Sequence, residues 1–233
     1  MLKRYFWVVL SHLIMLIVSI SCQRNNEEPA PNDTDYFPLQ VGAYWVYQVT
    51  HNQYSENTAI ANRMYQLQEK ITGSFNQNGQ VVFLLEESIR QNEKASWKLT
   101  GIRTVYSNLT EVVAQENNVP TVRLVFPISV ATSWNNNLYN SKPDTLLQYR
   151  DMGRSFSAGK RLFDNTISVV GPNDSTLIDQ SKYLRVYARH VGLIYREDAM
   201  LTFCQSQPEC IGKGVIESGN ALKWELISSS YLP

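Results

Sequence analysis

Residues 65–85 read Tyr65-Gln66-Leu67-Gln68-Glu69-Lys70-Ile71-Thr72-Gly73-Ser74-Phe75-Asn76-Gln77-Asn78-Gly79-Gln80-Val81-Val82-Phe83-Leu84-Leu85. Tyr65, Leu67 and Ile71 alternate with Gln66, Gln68 and Lys70, the period of a strand with one face in a core. Asn78-Gly79 follows, and both residues accept the positive φ that a tight hairpin turn demands. Val81, Phe83 and Leu85 then resume the alternation on a return strand. A hairpin of this kind needs no crossover helix, so it argues for an antiparallel sheet.

The same period recurs on either side. Upstream, Trp45, Tyr47 and Val49 oppose Tyr44, Val46 and Gln48, which predicts a strand buried on most of one face and part of the other. Downstream, Trp97, Leu99, Val105 and Tyr106 mark a further pair of strands, and Val122, Leu124 and Phe126 end at Pro127. Ile167–Val170 runs into Gly171-Pro172-Asn173-Asp174, a dense turn signal. Tyr183–Tyr187 and Leu193–Tyr195 flank His190-Val191-Gly192, and Gly219-Asn220 opens a last strand in which Leu222, Trp224 and Leu226 oppose Lys223, Glu225 and Ile227. The expectation is an all-β fold of about ten strands, a strongly curved antiparallel sheet or half-barrel. One or two short helices fit only in 108–118 or 134–160, where the pattern fades.

The N-terminus is different in kind. Lys3 and Arg4 precede the apolar run Tyr5–Val18, and small residues lead to Cys22. Basic start, short apolar centre and small residues make a secretory signal. The run is short of the roughly 20 residues that span a bilayer. Ser19-Ile20-Ser21-Cys22 resembles the cleavage box of bacterial lipoproteins, with Ser19 where leucine is usual. That resemblance implies a signal peptide over 1–21 and acylation of Cys22 as the first mature residue, the palmitate-type modification of an outer-membrane lipoprotein. Residues 22–36 then read as the lipidated cysteine and a polar tether, and 37–233 as a single β-domain. Gln23-Arg24-Asn25-Asn26-Glu27-Glu28 resembles polar segments that route lipoproteins to the cell surface of Gram-negative bacteria.

Charge and cysteines narrow the setting. Removing residues 1–21 takes Lys3 and Arg4, so 19 basic and 21 acidic side chains remain, a formal charge of −2. No basic block exists, which argues against nucleic acid as a partner. With Cys22 committed to lipid, Cys204 and Cys210 remain, with five residues including Pro208 between them. In an oxidising compartment that spacing predicts a structural disulfide.

Four further segments carry a resemblance. Tyr36-Phe37-Pro38-Leu39-Gln40-Val41-Gly42-Ala43-Tyr44-Trp45-Val46-Tyr47 is similar to the "Y-x-P-L-x-V-G-x-x-W-x-Y" opening of a group of extracytoplasmic bacterial lipoproteins. Leu124-Val125-Phe126-Pro127 with Ser133-Trp134-Asn135, Tyr187–Glu197 (His190 standing where a glycine is usual) and Gly219–Leu226 resemble their later segments. The resemblance implies a curved sheet like the half-barrel of lipoprotein carriers. It carries over no catalytic residue.

Chemistry is sparse in the pattern. His51 and His190 lie in no metal-type spacing, and Gly212-Lys213-Gly214 lacks the rest of a phosphate loop. Glu86-Glu87 is an adjacent acid pair whose members point to opposite faces of a strand. The reading is therefore a non-enzymatic protein with no cofactor and no metal site. It is a membrane-anchored binding or scaffold domain whose partner is an envelope protein. The alternatives are a carrier of a lipid or other small apolar ligand, and a glycan binder. Trp134, beside Asn135-Asn136-Asn137, is the candidate ligand-facing ring for the last of these.

Overall fold

Alternating side chains joined by tight turns build one continuous sheet. A computed structural model of the chain describes residues 32–55 and 58–232; the signal segment and Cys22 lie outside them. From Asp33 onward the chain forms one compact unit. It begins with a 3-10 turn, Asp33–Tyr36, and continues as β1 (Tyr44–Ser55), β2 (Thr58–Gln77), β3 (Gln80–Arg90), β4 (Lys98–Ser107), β5 (Glu111–Glu116) and β6 (Val119–Val125). The second half is β7 (Ser133–Asn135), β8 (Leu146–Ala158), β9 (Arg161–Ser175), β10 (Asp179–Ala188), β11 (Gly192–Phe203) and β12 (Ile216–Ser229). Every described pairing is antiparallel, and the order is β6-β5-β4-β3-β2-β1-β12-β11-β10-β9-β8-β7. Two six-stranded meanders are therefore joined at the β1–β12 ladder, where the chain's beginning meets its end.

The sheet curls until its edges meet, giving a nearly closed barrel. The edges are β6 and β7, and the seam between them is specific. The Val122 amide donates to Asn136 O at 2.9 Å, while the Trp134 indole donates back to Val122 O at 3.0 Å. One strand further in, the Tyr149 hydroxyl donates to Val125 O at 2.8 Å and accepts from the Val125 amide at 2.9 Å. Closure of this kind removes the unpaired edges that make open sheets aggregate. The Trp134 and Tyr149 rings pack 4.8 Å apart between those bonds.

Strand 1 and strand 12 behave as their sequences predict. Trp45, Val46, Tyr47 and Val49 are buried while Tyr44 and Gln48 are partly exposed, and Trp224 and Leu226 are buried opposite them. The β2–β3 hairpin turns at Asn78-Gly79, with φ of 53° and 83°. Beyond Ile71, however, a bulge shifts the register by one residue. That extra residue lies on β2, and Phe75 beyond it is exposed. On β3 the alternation is unbroken, with Leu85 buried and Phe83 packed against the core, while Val81 at the tip is exposed and Val82 is buried beside Thr104 and Tyr106.

Four other expectations are corrected. The segments 108–118 and 134–160 hold strands, β5 and β7–β8, in place of helices. Leu99 and Val105 belong to one strand, β4, and Trp97 precedes it in a loop, half-buried with the Arg90 guanidinium 4.3 Å above its ring. Gly171-Pro172-Asn173-Asp174 is a bulge inside β9, not a turn; the pairing with β10 skips between Val170 and Asn173. Gly171 is required there by space, since a Cβ would stand 2.7 Å from Leu147 Cδ2 and 3.1 Å from Tyr183 Cβ. Finally, Asp33–Tyr36 is part of the folded unit: Tyr36 is buried, and Asp33 accepts the Ile128 amide at 2.8 Å.

The Cys204–Cys210 disulfide is formed, with Cα atoms 5.8 Å apart. It pins the loop between β11 and β12, and Gly212-Lys213-Gly214 is the turn that follows it.

Candidate functional site

The barrel interior is filled mainly by rings. Tyr47 packs on Trp224 at 5.4 Å and Trp45 on Tyr231 at 5.7 Å. Two of these rings also reach across β12 to β11: the Trp45 indole donates to Val191 O at 2.6 Å, and the Tyr47 hydroxyl to Leu193 O at 3.1 Å. Gly192 sits under Trp45 at φ 96°, and a Cβ would approach its indole nitrogen to 3.3 Å. The segment Phe37–Leu39 lies against this cluster.

What the rings leave open is a partly open cavity of about 70 Å³. Its wall includes Phe37, Pro38, Leu39, Trp45, Tyr47 and Leu193, and also Glu69, Arg103, Arg123, Arg185, Tyr187, Arg196 and Trp224. The charged members form two networks. In the first, Arg103 binds Glu69 Oε1 at 2.6 Å, Glu87 Oε2 closer still, and Glu116 Oε2 at 3.8 Å. In the second, Arg185 holds both oxygens of Asp198 at 2.7 and 3.0 Å, and Arg196 Nε binds Asp198 Oδ2 at 2.7 Å. Arg185 also donates to Leu184 O and Glu197 O, and its guanidinium lies 4.0 Å from the Tyr183 ring. Arg196 lies 4.5 Å above Trp224.

Burial sets the electrostatics. Burial alone would lower the Arg103 pKa, but Glu69, Glu87 and Glu116 outweigh it and raise the group. For Glu87, burial prevails over the Arg103 ion pair, with Glu69 and Glu116 adding to it, and the carboxyl is pushed above the usual range. Burial, then the neighbouring Arg196, lowers Arg185. Burial would raise Asp198, but Arg196 and Arg185 outweigh it and hold the carboxyl below the usual range. Tyr47 and Tyr187 are raised, chiefly by burial.

The residues singled out from sequence fall elsewhere. Trp134, the candidate ligand-facing ring, is 7% exposed and committed to the seam, so it presents no platform. The neighbouring asparagines organise their own loop: Asn135 Oδ1 accepts from the Asn137 and Thr145 amides, and Asn137 Nδ2 donates to Pro143 O. His190 is largely exposed beside Asp35, and His51 borders two open grooves of about 630 and 570 Å³. Among the described residues no group of three or more His, Cys, Asp or Glu is placed to hold a metal ion. Glu87 is drawn into the first network by Arg103, beside its cross-strand neighbour Glu69, and Glu86 takes no part in it.

Neither ionic network is apparent from motifs. A signal exists nonetheless: Glu69 occupies the inward parity between Leu67 and Ile71, and Arg185 that between Tyr183 and Tyr187. A charged residue in an otherwise apolar register is a buried charge in search of a partner.

No family model matches the chain, and no curated protein is similar to it. Two crystal structures are. One is a candidate lipoprotein of Parabacteroides distasonis, at 12% identity and a TM-score of 0.38 over 82% of this chain and 98% of that one. The other is a candidate exported protein of Bacteroides fragilis with a YmcC-like fold, at 10% identity and a TM-score of 0.38 over the same shares.

Proposed function

We propose that this chain is a lipid-anchored, non-enzymatic binding or scaffold lipoprotein of the Gram-negative envelope. In this reading Cys22 carries the lipid in the outer membrane, and the β-domain faces the cell surface. The observation that carries the reading is the order of the chain: a basic, apolar, small-residue leader ending on Cys22, a polar stretch, and a compact domain from Asp33. Two or more acyl chains on one cysteine make attachment effectively permanent, since each buried methylene contributes about 0.8 kcal/mol.

A non-catalytic role is supported by how the interior charges are used. Glu69, Glu87 and Asp198 are each tied to arginine, so the buried acids serve ion pairs. An envelope protein remains the partner of choice for the outer surface of the domain. The ring-lined cavity, about 70 Å³, falls below the roughly 300–1,000 Å³ of ligand pockets, so a carried apolar molecule would have to lie in the open grooves beside His51, of about 630 and 570 Å³. The glycan alternative loses its ring with the burial of Trp134.

The test is metabolic labelling with palmitate in a Gram-negative host. The wild-type chain is expected to take up label and sediment with membranes, and Cys22→Ala to do neither. An unlabelled wild-type chain overturns the anchor. Protease treatment of intact cells tests orientation: degradation of the domain is expected, and full protection contradicts a surface position.

A further inference from the structure

Three hydrogen-bond donors on the cavity wall have no acceptor among the described residues. The Trp224 indole nitrogen is buried and unpartnered, in a residue only 5% exposed. The Tyr187 hydroxyl makes no hydrogen bond, although the residue is 3% exposed. It lies in electrostatic range of Arg123, Arg185 and Arg196, which also line the cavity. Arg123 has no carboxylate partner. It is the extra residue of a bulge in β6, where Val113 pairs with Val122 and Val112 with Leu124. Bulges re-aim a side chain out of the normal alternation, and the Arg123 guanidinium lines the cavity.

Charge is unbalanced in the same direction. Arg185 and Arg196 share one carboxylate, Asp198, and Arg123 has none among the described residues. Glu69, on the opposite wall, is already held by Arg103. A buried donor without an acceptor is costly; the Trp224 indole is one, and with the half-exposed Arg123 and the Tyr187 hydroxyl on the same cavity it calls for an acceptor-rich, negatively charged occupant.

We infer that this cavity binds a small carboxylate, accepting from Arg123, the Tyr187 hydroxyl and the Trp224 indole N–H. Arg196, stacked on Trp224, holds the indole plane and adds charge. The cavity's size suits an acetate-sized group rather than a lipid. Phe37, Pro38 and Leu39 offer an apolar wall for the remainder of a ligand that ends in such a group. The assignment rests on the binding-domain reading and supplies its ligand class.

The experiment is an acetate titration of the full chain in detergent, at constant ionic strength, followed on the indole N–H resonances by NMR. Trp224→Phe identifies its own signal by the loss of that resonance. A saturable shift of the Trp224 signal is expected, with a Kd on the order of 1 mM. Arg123→Gln and Tyr187→Phe are each expected to weaken it, Arg123→Gln by about tenfold or more. Acetamide, which has the shape without the charge, is expected to leave the signal in place. A shift that does not saturate, that survives Arg123→Gln, or that acetamide reproduces overturns the assignment, as does a site filled by inorganic phosphate in preference to acetate. The acetamide and phosphate comparisons use the wild-type chain and so do not depend on any variant folding. A flat titration overturns the cavity assignment alone. Absence of lipid on Cys22 overturns the anchored reading and leaves the titration standing.

Discussion

Gly219 shows how tightly single residues are specified. Its φ is +128°, and a Cβ would stand 2.8 Å from Leu201 Cα and closer still to Met200 O, both on the neighbouring strand. Gly219→Ala is expected to lower stability by about 2 kcal/mol or more, read as a lower urea midpoint; an unchanged midpoint contradicts the close approach. The buried acids give a second prediction, with opposite signs at two sites. Glu87 has a raised pKa in the fold. Its contribution is therefore fully present below the unfolded value, near pH 4.5, and is lost as pH rises through the raised one. Asp198 has a lowered pKa, so its contribution is present above its unfolded value of 3.8 and lost as pH falls through the lowered one. In urea unfolding at a series of pH values, Glu87→Gln is expected to flatten the decline above pH 4.5, and Asp198→Asn to remove part of the acid loss below 3.8. Profiles parallel to wild type would contradict both assignments.

At the scale of elements, the seam is the place where the fold is least repetitive. Its two edges are joined by side chains as much as by backbone, so it is sensitive to one ring. Trp134→Ala removes a buried indole and its bond to Val122 O, and is expected to cost about 3–5 kcal/mol. Trp134→Phe loses the bond and part of the packing, and is expected to cost less. Hydrogen exchange should quicken first at Val122 and Val125; uniform exchange across the sheet would contradict a local seam. The disulfide closes a loop with a sequence separation of 6. By loop entropy, replacing both cysteines by serine is expected to cost roughly 2 kcal/mol, read as a lower urea midpoint, and an unaltered midpoint would contradict that role. Strands 1, 2, 3, 10 and 12 were legible because one face is apolar and the other polar. Strand 5 was not, because Val112, Val113 and Ala114 are all buried around a bulge and no alternation survives. Strand 8 was hidden for the opposite reason: Arg150–Ser155 is exposed on both faces. Positive φ at Asp151 and Gly153 breaks its ladder there. The Gly171-Pro172 signal was real backbone chemistry with the wrong scale attached, a bulge rather than a reversal.

For the molecule as a whole, the barrel is stapled by charges as well as rings. Arg103 draws together β2, β3 and β5 from β4 through Glu69, Glu87 and Glu116. Breaking such a pair strands a buried charge, so Arg103→Met is expected to lose about 3–5 kcal/mol in urea unfolding. A loss near zero would mean that the network is solvated and does not hold the strands. The candidate site was the least legible part of the sequence, since it is assembled from β2, β4, β6, β10, β11 and β12 and no motif spans it. Its one local trace, a charged residue in an apolar register, also marks purely structural ion pairs. The proposed anchor is a signal of the contrary kind, a linear segment, and it lies outside the described residues. The central claim is therefore tested most directly by the intact mass of the chain purified from membranes of a Gram-negative host. The account predicts a protein beginning at Cys22, carrying covalent acyl groups and lighter by two hydrogens for the Cys204–Cys210 bridge. A chain that retains residues 1–21, or that begins elsewhere without acyl groups, would contradict it.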